Sequence, residues 1–506
     1  MAQPLEDAGP ALPAPDALPP RFPERLAALA REAPDAPALR DRHGTLTRAG
    51  LLAAVCGALE RLDDLRPGDR LALLAEPGRD WLVGLLAAWW RGAIAVPLGW
   101  RHPPAERAHA LEDADCRLVW ASPERAAEAQ RPVVTAPREP GTGPPPEPET
   151  GEGALIIHTS GSTGKPKGVL HTHASLAAQA RSLGAAWGWT AGDRILNVLP
   201  LHHIHGIVNV YGCALWHGAT VREAHGFDAD AVGAALAGPE APTLFMAVPT
   251  VYHRLLERYE NAADREAFAR HAARPRLWVS GSAALPVAVL ERWRALTGQT
   301  LLERYGMSEV GMALSQPLHG ERRPGTVGRP LPGVTVRVAP TGEDPEAEPG
   351  AVTGELELRG ETLFAGYWRQ APATEAAFRD GGWFRTGDVV ARSPEGVYRI
   401  LGRRSVDILK TGGYKVSALE IEEVLRTHPA VAEAAVVGLP DPAYGQVLAA
   451  AIVARAPVGA ESLRAWTAER LASYKVPRRW RLMGELPRNA LGKVLKPRLA
   501  EAFGAD

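Results

Sequence analysis

The chain has 506 residues, enough for more than one domain and a large core. Apolar residues make up 46% and charged residues 23%, and 57 Lys plus Arg against 58 Asp plus Glu leave a net charge of −1, which argues against a dedicated nucleic-acid binder. The longest apolar run, residues 81–90, is about half of a membrane span, and residues 1–20 lack the basic segment of a signal peptide.

Residues 1–20 are rich in Ala and Pro and read as a disordered tail. From about residue 25, helical patterns alternate with strand-like runs at 70–74, 154–158, 194–199, 244–248 and 277–280. That alternation predicts βα units and a largely parallel sheet. Residues 131–153 are dense in Pro, Gly and Glu and read as an exposed connection. After residue 350, runs at 355–359 and 397–401 predict short antiparallel strands. Beyond Gly402 the pattern predicts a helix at 418–426, a buried strand at 431–438 and a turn at 440–442. The change of texture places a domain boundary at 402–408. No repeat of a 20–50-residue period is present.

Cys56, Cys116 and Cys213 form no metal or redox motif and fit a reducing cytoplasm. Of the 57 basic residues, 50 are Arg and seven are Lys. A composition so biased keeps Lys where a slim point charge is needed and a planar fork fails. Two of the seven, Lys165 and Lys167, share one Gly-rich loop. The others, Lys410, Lys415, Lys475, Lys493 and Lys496, all lie beyond residue 409.

That loop reads Thr159-Ser160-Gly161-Ser162-Thr163-Gly164-Lys165-Pro166-Lys167-Gly168, directly after an apolar run. Glycines let backbone amides approach an anion, hydroxyls donate, and lysines neutralise. A Walker loop needs four residues between its first Gly and Gly-Lys; here only Ser162 and Thr163 intervene. The bland alternative is a surface hairpin.

The loop resembles the phosphate-binding signature of the adenylate-forming superfamily, which includes acyl-CoA synthetases. Further motifs resemble that family in order. They are Tyr305-Gly306-Met307-Ser308-Glu309, Trp383-Phe384-Arg385-Thr386-Gly387-Asp388, Gly402-Arg403, Gly412-Gly413-Tyr414-Lys415 and Pro487-Arg488-Asn489-Ala490-Leu491-Gly492-Lys493. The resemblance covers everything after the tail. It implies an α/β fold with a large N-terminal domain (21–402) of mixed, mostly parallel sheets plus a distorted β-barrel subdomain. A hinge at 403–407 and a small mobile α+β C-terminal domain (408–506) complete it.

The resemblance also assigns roles. A carboxylate attacks the α-phosphorus of ATP, and a thiol then displaces AMP, chemistry that rests on positioning and charge neutralisation. Thr159, Ser160, Gly161, Ser162, Thr163, Gly164 and Lys167 would hold phosphates, and Glu309 would hold Mg²⁺. Tyr305 would stack on adenine beside Ser280-Gly281-Ser282-Ala283, with Glu303, Gly306, Met307 and Ser308 completing the nucleotide site. Asp388 would accept the ribose hydroxyls. Arg403 or Arg404 would join it; the spacing to Gly402 selects the first, and the spacing to Gly412 the second. Lys493 would bridge the attacking carboxylate and the α-phosphate. Gly412, Gly413, Tyr414 and Lys415 would meet coenzyme A after the small domain rotates about the hinge.

For the acid, His202-His203-Ile204-His205 first suggests metal, but the order lacks the Glu and spacing of a helical zinc site. In the family this segment lines the acyl pocket, with His205 as a catalytic helper. Arg322 and Arg323 border the same pocket by position, and an Arg there predicts a second anionic group on the substrate. Only one of the two is expected to point inward. These segments together resemble malonyl-CoA synthetases, with Ile204 and Met307 beside the malonate α-carbon and methylmalonate as a further substrate. The resemblance therefore implies malonate, ATP, Mg²⁺ and coenzyme A, no nucleic acid, no membrane, and the cytoplasm. The rivals are another short-chain or aryl acid, a standalone adenylation enzyme that loads a carrier protein, and a catalytically silent binding protein.

Overall fold

A computed structural model describes residues 5–12, 21–137, 141, 146–159, 166–340, 345, 349–411, 414–442, 444–488 and 492–504. Two of its sheets have parallel strands at their centre. One runs in the order Gly366–Tyr367, Lys167–Thr172, Gly153–Thr159, Ile94–Pro97, Arg70–Leu74, Leu118–Ala121 and Val133–Thr135. The other places Leu302–Met307, Leu277–Ser280, Leu244–Ala247, Arg194–Asn197 and Thr220–Glu223 side by side and parallel. Their short apolar runs are buried, as parallel strands covered on both faces require. The expected 131–153 connection contains the edge strand Val133–Thr135, a short β-branched run hidden by its Pro- and Gly-rich flanks.

Helices fill the space around these sheets. The apolar run at 81–90 forms most of the helix Arg79–Trp90, in which Trp81, Trp89 and Trp90 are all buried. Gly84 on that helix lies under Trp120, whose ring would sit 2.2 Å from any Cβ there. Only a hydrogen fits that approach. The helix His173–Trp187 starts at a capping box formed by Thr172 and Ser175 and stops at Gly188 with φ 62°. Among the described residues no helix is long and apolar enough to cross a membrane.

A third, six-stranded sheet is antiparallel and holds Val334–Ala339, Val352–Gly360, Trp383–Arg392 and Tyr398–Arg403. Among the described residues it does not close into the expected barrel. One edge is taken by Leu5–Ala8, and Tyr398 at the other bonds to the 327–328 segment through Val327 N and Gly328 O. Part of the supposed tail is thus structured. Asp7 pairs with Arg392 and accepts the Tyr398 hydroxyl at 2.5 Å, anchoring a strand that Ala/Pro composition conceals.

This sheet ends at Arg403, and the next strand, Ile408–Thr411, belongs to a different, five-stranded sheet. Alternate residues of Val431–Asp441 face two clusters: Ala434 and Val436 meet Ile421 and Leu425, while Ala435 and Val437 meet Leu499 and Phe503. The helices Ala418–Arg426 and Lys496–Gly504 therefore pack on opposite faces.

Candidate active site

The parallel strands of the second sheet end together. Arg194–Asn197 leads to His202–His205, Leu244–Ala247 to Thr250, Leu277–Ser280 to Ser282, and Leu302–Met307 to Glu309. The crevice beyond such carboxyl ends is where open α/β sheets bind ligands.

Asp388 is the centre of one cluster. It accepts the Tyr305 hydroxyl at 2.5 Å and Arg403 Nε at 3.1 Å. Arg403 is its register partner on the adjacent strand and also donates to Thr386 O. Arg404 meets Gly387 O through its amide at 2.9 Å. The structure thus brings Tyr305, Asp388 and Arg403 together. Burial, then the Asp388 charge, pushes the Tyr305 phenol well above its ordinary pKa, so it stays a donor.

Glu309 lies close by and is buried, which raises its carboxyl pKa. Its Oε1 accepts the Tyr367 hydroxyl at 3.0 Å, and the Tyr367 ring lies 4.8 Å below Lys167 Nζ. Tyr367 was not singled out by sequence, although it sits on the strand next to Lys167–Thr172. His171 supports the same segment, donating from Nε2 to Ser308 O at 2.6 Å. Thr159 and Lys167 face each other across the two strands that flank the Gly-rich loop. Ser160, Gly161, Ser162, Thr163 and Gly164 lie outside the described residues, as do Gly412 and Gly413.

The acyl end differs from expectation. Arg322 donates to the carbonyls of Pro317, Leu318 and Thr300, so it holds its own loop. Arg323 is exposed and turned toward Glu395 at 3.6 Å. Glu303 accepts the Gly325 amide at 3.0 Å and secures that loop, and burial pushes its pKa up to about 8. A loop rich in Gly and Pro gave no sign of which donors its carbonyls would recruit.

The cation beside His205 is Arg304, which sequence did not single out. It is 4% exposed and donates from Nη2 to Ser282 Oγ at 3.4 Å. Gly281 makes the approach possible, because a Cβ there would stand 2.4 Å from the guanidinium. Burial lowers the Arg304 pKa to about 9, which leaves it charged at neutral pH. His205 Nδ1 is 3.3 Å from the same Ser282 hydroxyl. Burial first, and then Arg304, hold His205 well below its usual pKa, so the ring is neutral. Among the described residues, Arg304 Nε and His205 Nε2 are buried without a hydrogen-bond partner. A buried cation with spare donors suits an anionic group. His205 opens the π-helix His205–Gly212, whose wide turns are frequent at functional sites. Ile204 and Met307 belong to the same apolar cluster, and His203, next to Ile204 in the chain, is half-buried and also held neutral.

Lys493 is exposed beside Val494, which forms a bridge with Arg488, and Arg488 donates to Gly492 O and Glu433. Gly492, at φ 76°, abuts the large body: a Cβ there would lie 3.5 Å from Thr250. The small body docks again where Glu423 accepts the amide of Val287, at the start of the helix Val287–Thr297. Tyr414 is 53% exposed and stacks on Tyr474 at 4.1 Å.

Most of the chain is similar to known proteins. The chain matches the family described as AMP-binding enzyme over residues 26–368 and its C-terminal domain over 420–493. It is 41% identical to a mitochondrial malonate–CoA ligase of Bos taurus, over 91% of this chain and 87% of the relative. The Mus musculus counterpart is 42% identical, over 91% and 88%. ATP-bound MatB from Rhodopseudomonas palustris is similar in structure, with a TM-score of 0.86 and 31% identity over 96% of this chain and 99% of that one.

Proposed function

The chain belongs to the AMP-binding enzyme family, and from that premise we propose that it joins malonate to coenzyme A with ATP. In the first half-reaction a malonate carboxylate oxygen attacks the α-phosphorus. The bond to pyrophosphate breaks, and malonyl-adenylate forms. In the second, the sulfur of coenzyme A attacks the acyl carbon, AMP leaves with the bonding electrons, and the thiol proton passes to solvent.

The observation that carries the choice of acid is Arg304. Malonate keeps one carboxylate unreacted, and a buried charge needs a partner. Arg304 Nε and His205 Nε2 are donors at hand, with Ser282 between them. A monocarboxylic acid would leave this cation unmatched. Ile204 and Met307 would then limit substituents on the α-carbon, methylmalonate being the smallest.

The remaining roles follow the geometry. Tyr305, Asp388 and Arg403 would take the ribose end of the nucleotide, and Lys167 with the loop before it the outer phosphates. Glu309 fits Mg²⁺, since it is a hard carboxylate steadied by Tyr367. A bound magnesium ion would offset phosphate charge there. Lys493, next to the Gly492 that abuts Thr250, would balance charge developing between carboxylate and α-phosphate. Tyr414 and Lys415 would meet coenzyme A in the second half-reaction.

Incubating the protein with ATP, Mg²⁺, coenzyme A and a panel of mono-, di- and aryl carboxylic acids tests the reading. AMP and a thioester should form with malonate well ahead of acetate, propionate and benzoate. Preference for a monocarboxylic or aryl acid would overturn it.

A further inference from the structure

Lys496 opens the helix Lys496–Gly504, three positions beyond Lys493, and is 8% exposed. Its Nζ stands 2.6 Å from Asp407 Oδ1 and 2.7 Å from Glu422 Oε1. Glu422 is fixed within the small body, because it also accepts the Val436 amide at 2.8 Å and Arg426 Nη2 at 3.0 Å. Asp407 reaches the other way. Its Oδ2 accepts the Arg403 amide at 3.0 Å, and its own amide donates to Arg403 O at 2.7 Å. Gly402, with φ 132°, keeps this turn tight, since a Cβ there would fall 2.4 Å from that of Asp407. Arg403 itself grips Asp388. One carboxylate thus links an amide of the large body to an ammonium of the small one.

We propose that Lys496 is a positioning residue which, by holding the Asp407 carboxylate on the Arg403 amide, fixes the small body in the orientation that delivers Lys493 for adenylation. The inference rests on the function proposed above. Asp407 O accepts the Ala418 amide at 2.8 Å, so Asp407 travels with the small body. When that body turns about residues 403–407, the contact that parts is the one to Arg403. Lys496 decides whether the carboxylate is aimed to make it. Two carboxylate oxygens converge on a single nitrogen, a geometry that suits an ammonium and not a diverging guanidinium. This explains a lysine in a chain that uses Arg for 50 of its 57 basic residues. Burial disfavours the ammonium, but Glu422 and Asp407 more than offset it and leave its pKa raised. A route of direct contacts therefore runs from Asp388 through Arg403 and Asp407 to Lys496, three positions beyond Lys493.

The test separates the half-reactions. Pyrophosphate release from ATP and malonate, without coenzyme A, reads adenylation. Thioester formation from supplied malonyl-adenylate reads the second step. In Lys496→Met and in Asp407→Asn, adenylation should fall about tenfold or more, with the thioester step changed less than about threefold, as for removal of one coupled contact. The double variant should be no worse than the poorer single one. A merely structural lysine would slow both steps alike, so an equal loss, an unchanged ratio or additive losses overturn the proposal. Should Lys496→Met not fold, Asp407→Asn decides by the same ratio. A wild-type protein that forms no malonyl-adenylate overturns the functional reading and this inference with it. A wild type that does, with variants of unchanged ratio, overturns this inference alone.

Discussion

Arg304 donates from Nη2 to Ser282 Oγ at 3.4 Å, and His205 Nδ1 lies 3.3 Å from the same hydroxyl. A fixed cation and a neutral imidazole so share one serine. Replacing Arg304 by Met should lower kcat/KM for malonate about 10²-fold or more, since truncating one partner of a buried charge pair costs about 2–5 kcal/mol. Propionate should respond little, so the malonate-to-propionate ratio collapses. Arg323→Ala should keep the ratio, because Arg323 faces outward to Glu395. Steady-state kinetics with both acids checks this, and a preserved ratio in Arg304→Met would place the second carboxylate elsewhere.

Lys493→Ala should slow adenylation by about 10²–10³-fold, the usual effect of removing one preorganised charge from a transition state. The thioester step from supplied malonyl-adenylate should be largely spared, because the proposed rotation of the small body withdraws Lys493 before it. Equal loss in both steps would sink the assignment.

Asp388→Asn removes the charge that Tyr305 and Arg403 share. A hydrogen bond to a charged group is worth about 1.5–3 kcal/mol, so Kd for AMP should rise by about 10–150-fold. Titration calorimetry reads this directly; an unchanged Kd would exclude a ribose contact.

His171 is buried under Ser308, and burial lowers its pKa from 6.5 to about 4. Between these values the unfolded chain binds a proton that the folded protein refuses. Its contribution to stability is therefore complete above pH 6.5 and is lost as pH falls toward 4. At about pH 5.5 the loss is about 1 kcal/mol. His171→Gln, which still offers a donor to Ser308 O, should flatten the fall of Tm between about pH 7.5 and 5.5 in scanning calorimetry. An unchanged slope would mean that His171 titrates normally.

The strands at 70–74 and 277–280 and the helix at 418–426 were legible to the residue, because apolar runs and a Ser cap leave a clear local pattern. The nucleotide motifs were legible because their residue types and order are distinctive. Arg304 was not. It lies between Glu303 and Tyr305 in a chain with 50 Arg, and nothing local says that this one faces inward. The hint available was position, since a charged residue near the carboxyl end of a buried parallel strand has to be matched by something. Arg322 misled for the opposite reason: the partners that occupy it are backbone carbonyls, which every loop possesses. His171 and Tyr367 act through contacts 137 and 58 residues away in sequence, beyond the reach of any local pattern.

The strand Leu5–Ala8 has a practical consequence for handling the protein. It covers one edge of the six-stranded sheet, pairing with Val334–Ala339, and Asp7 supplies the carboxylate that Arg392 and Tyr398 hold. Trimming it would leave four alternating residues, two of them Val, as a bare row of amides and carbonyls, with Arg392 deprived of its counterion. Exposed edges of this kind recruit strands from other molecules. A shortened version of this protein is therefore a candidate for aggregation and for domain swapping, and tags are better carried at the opposite end of the chain.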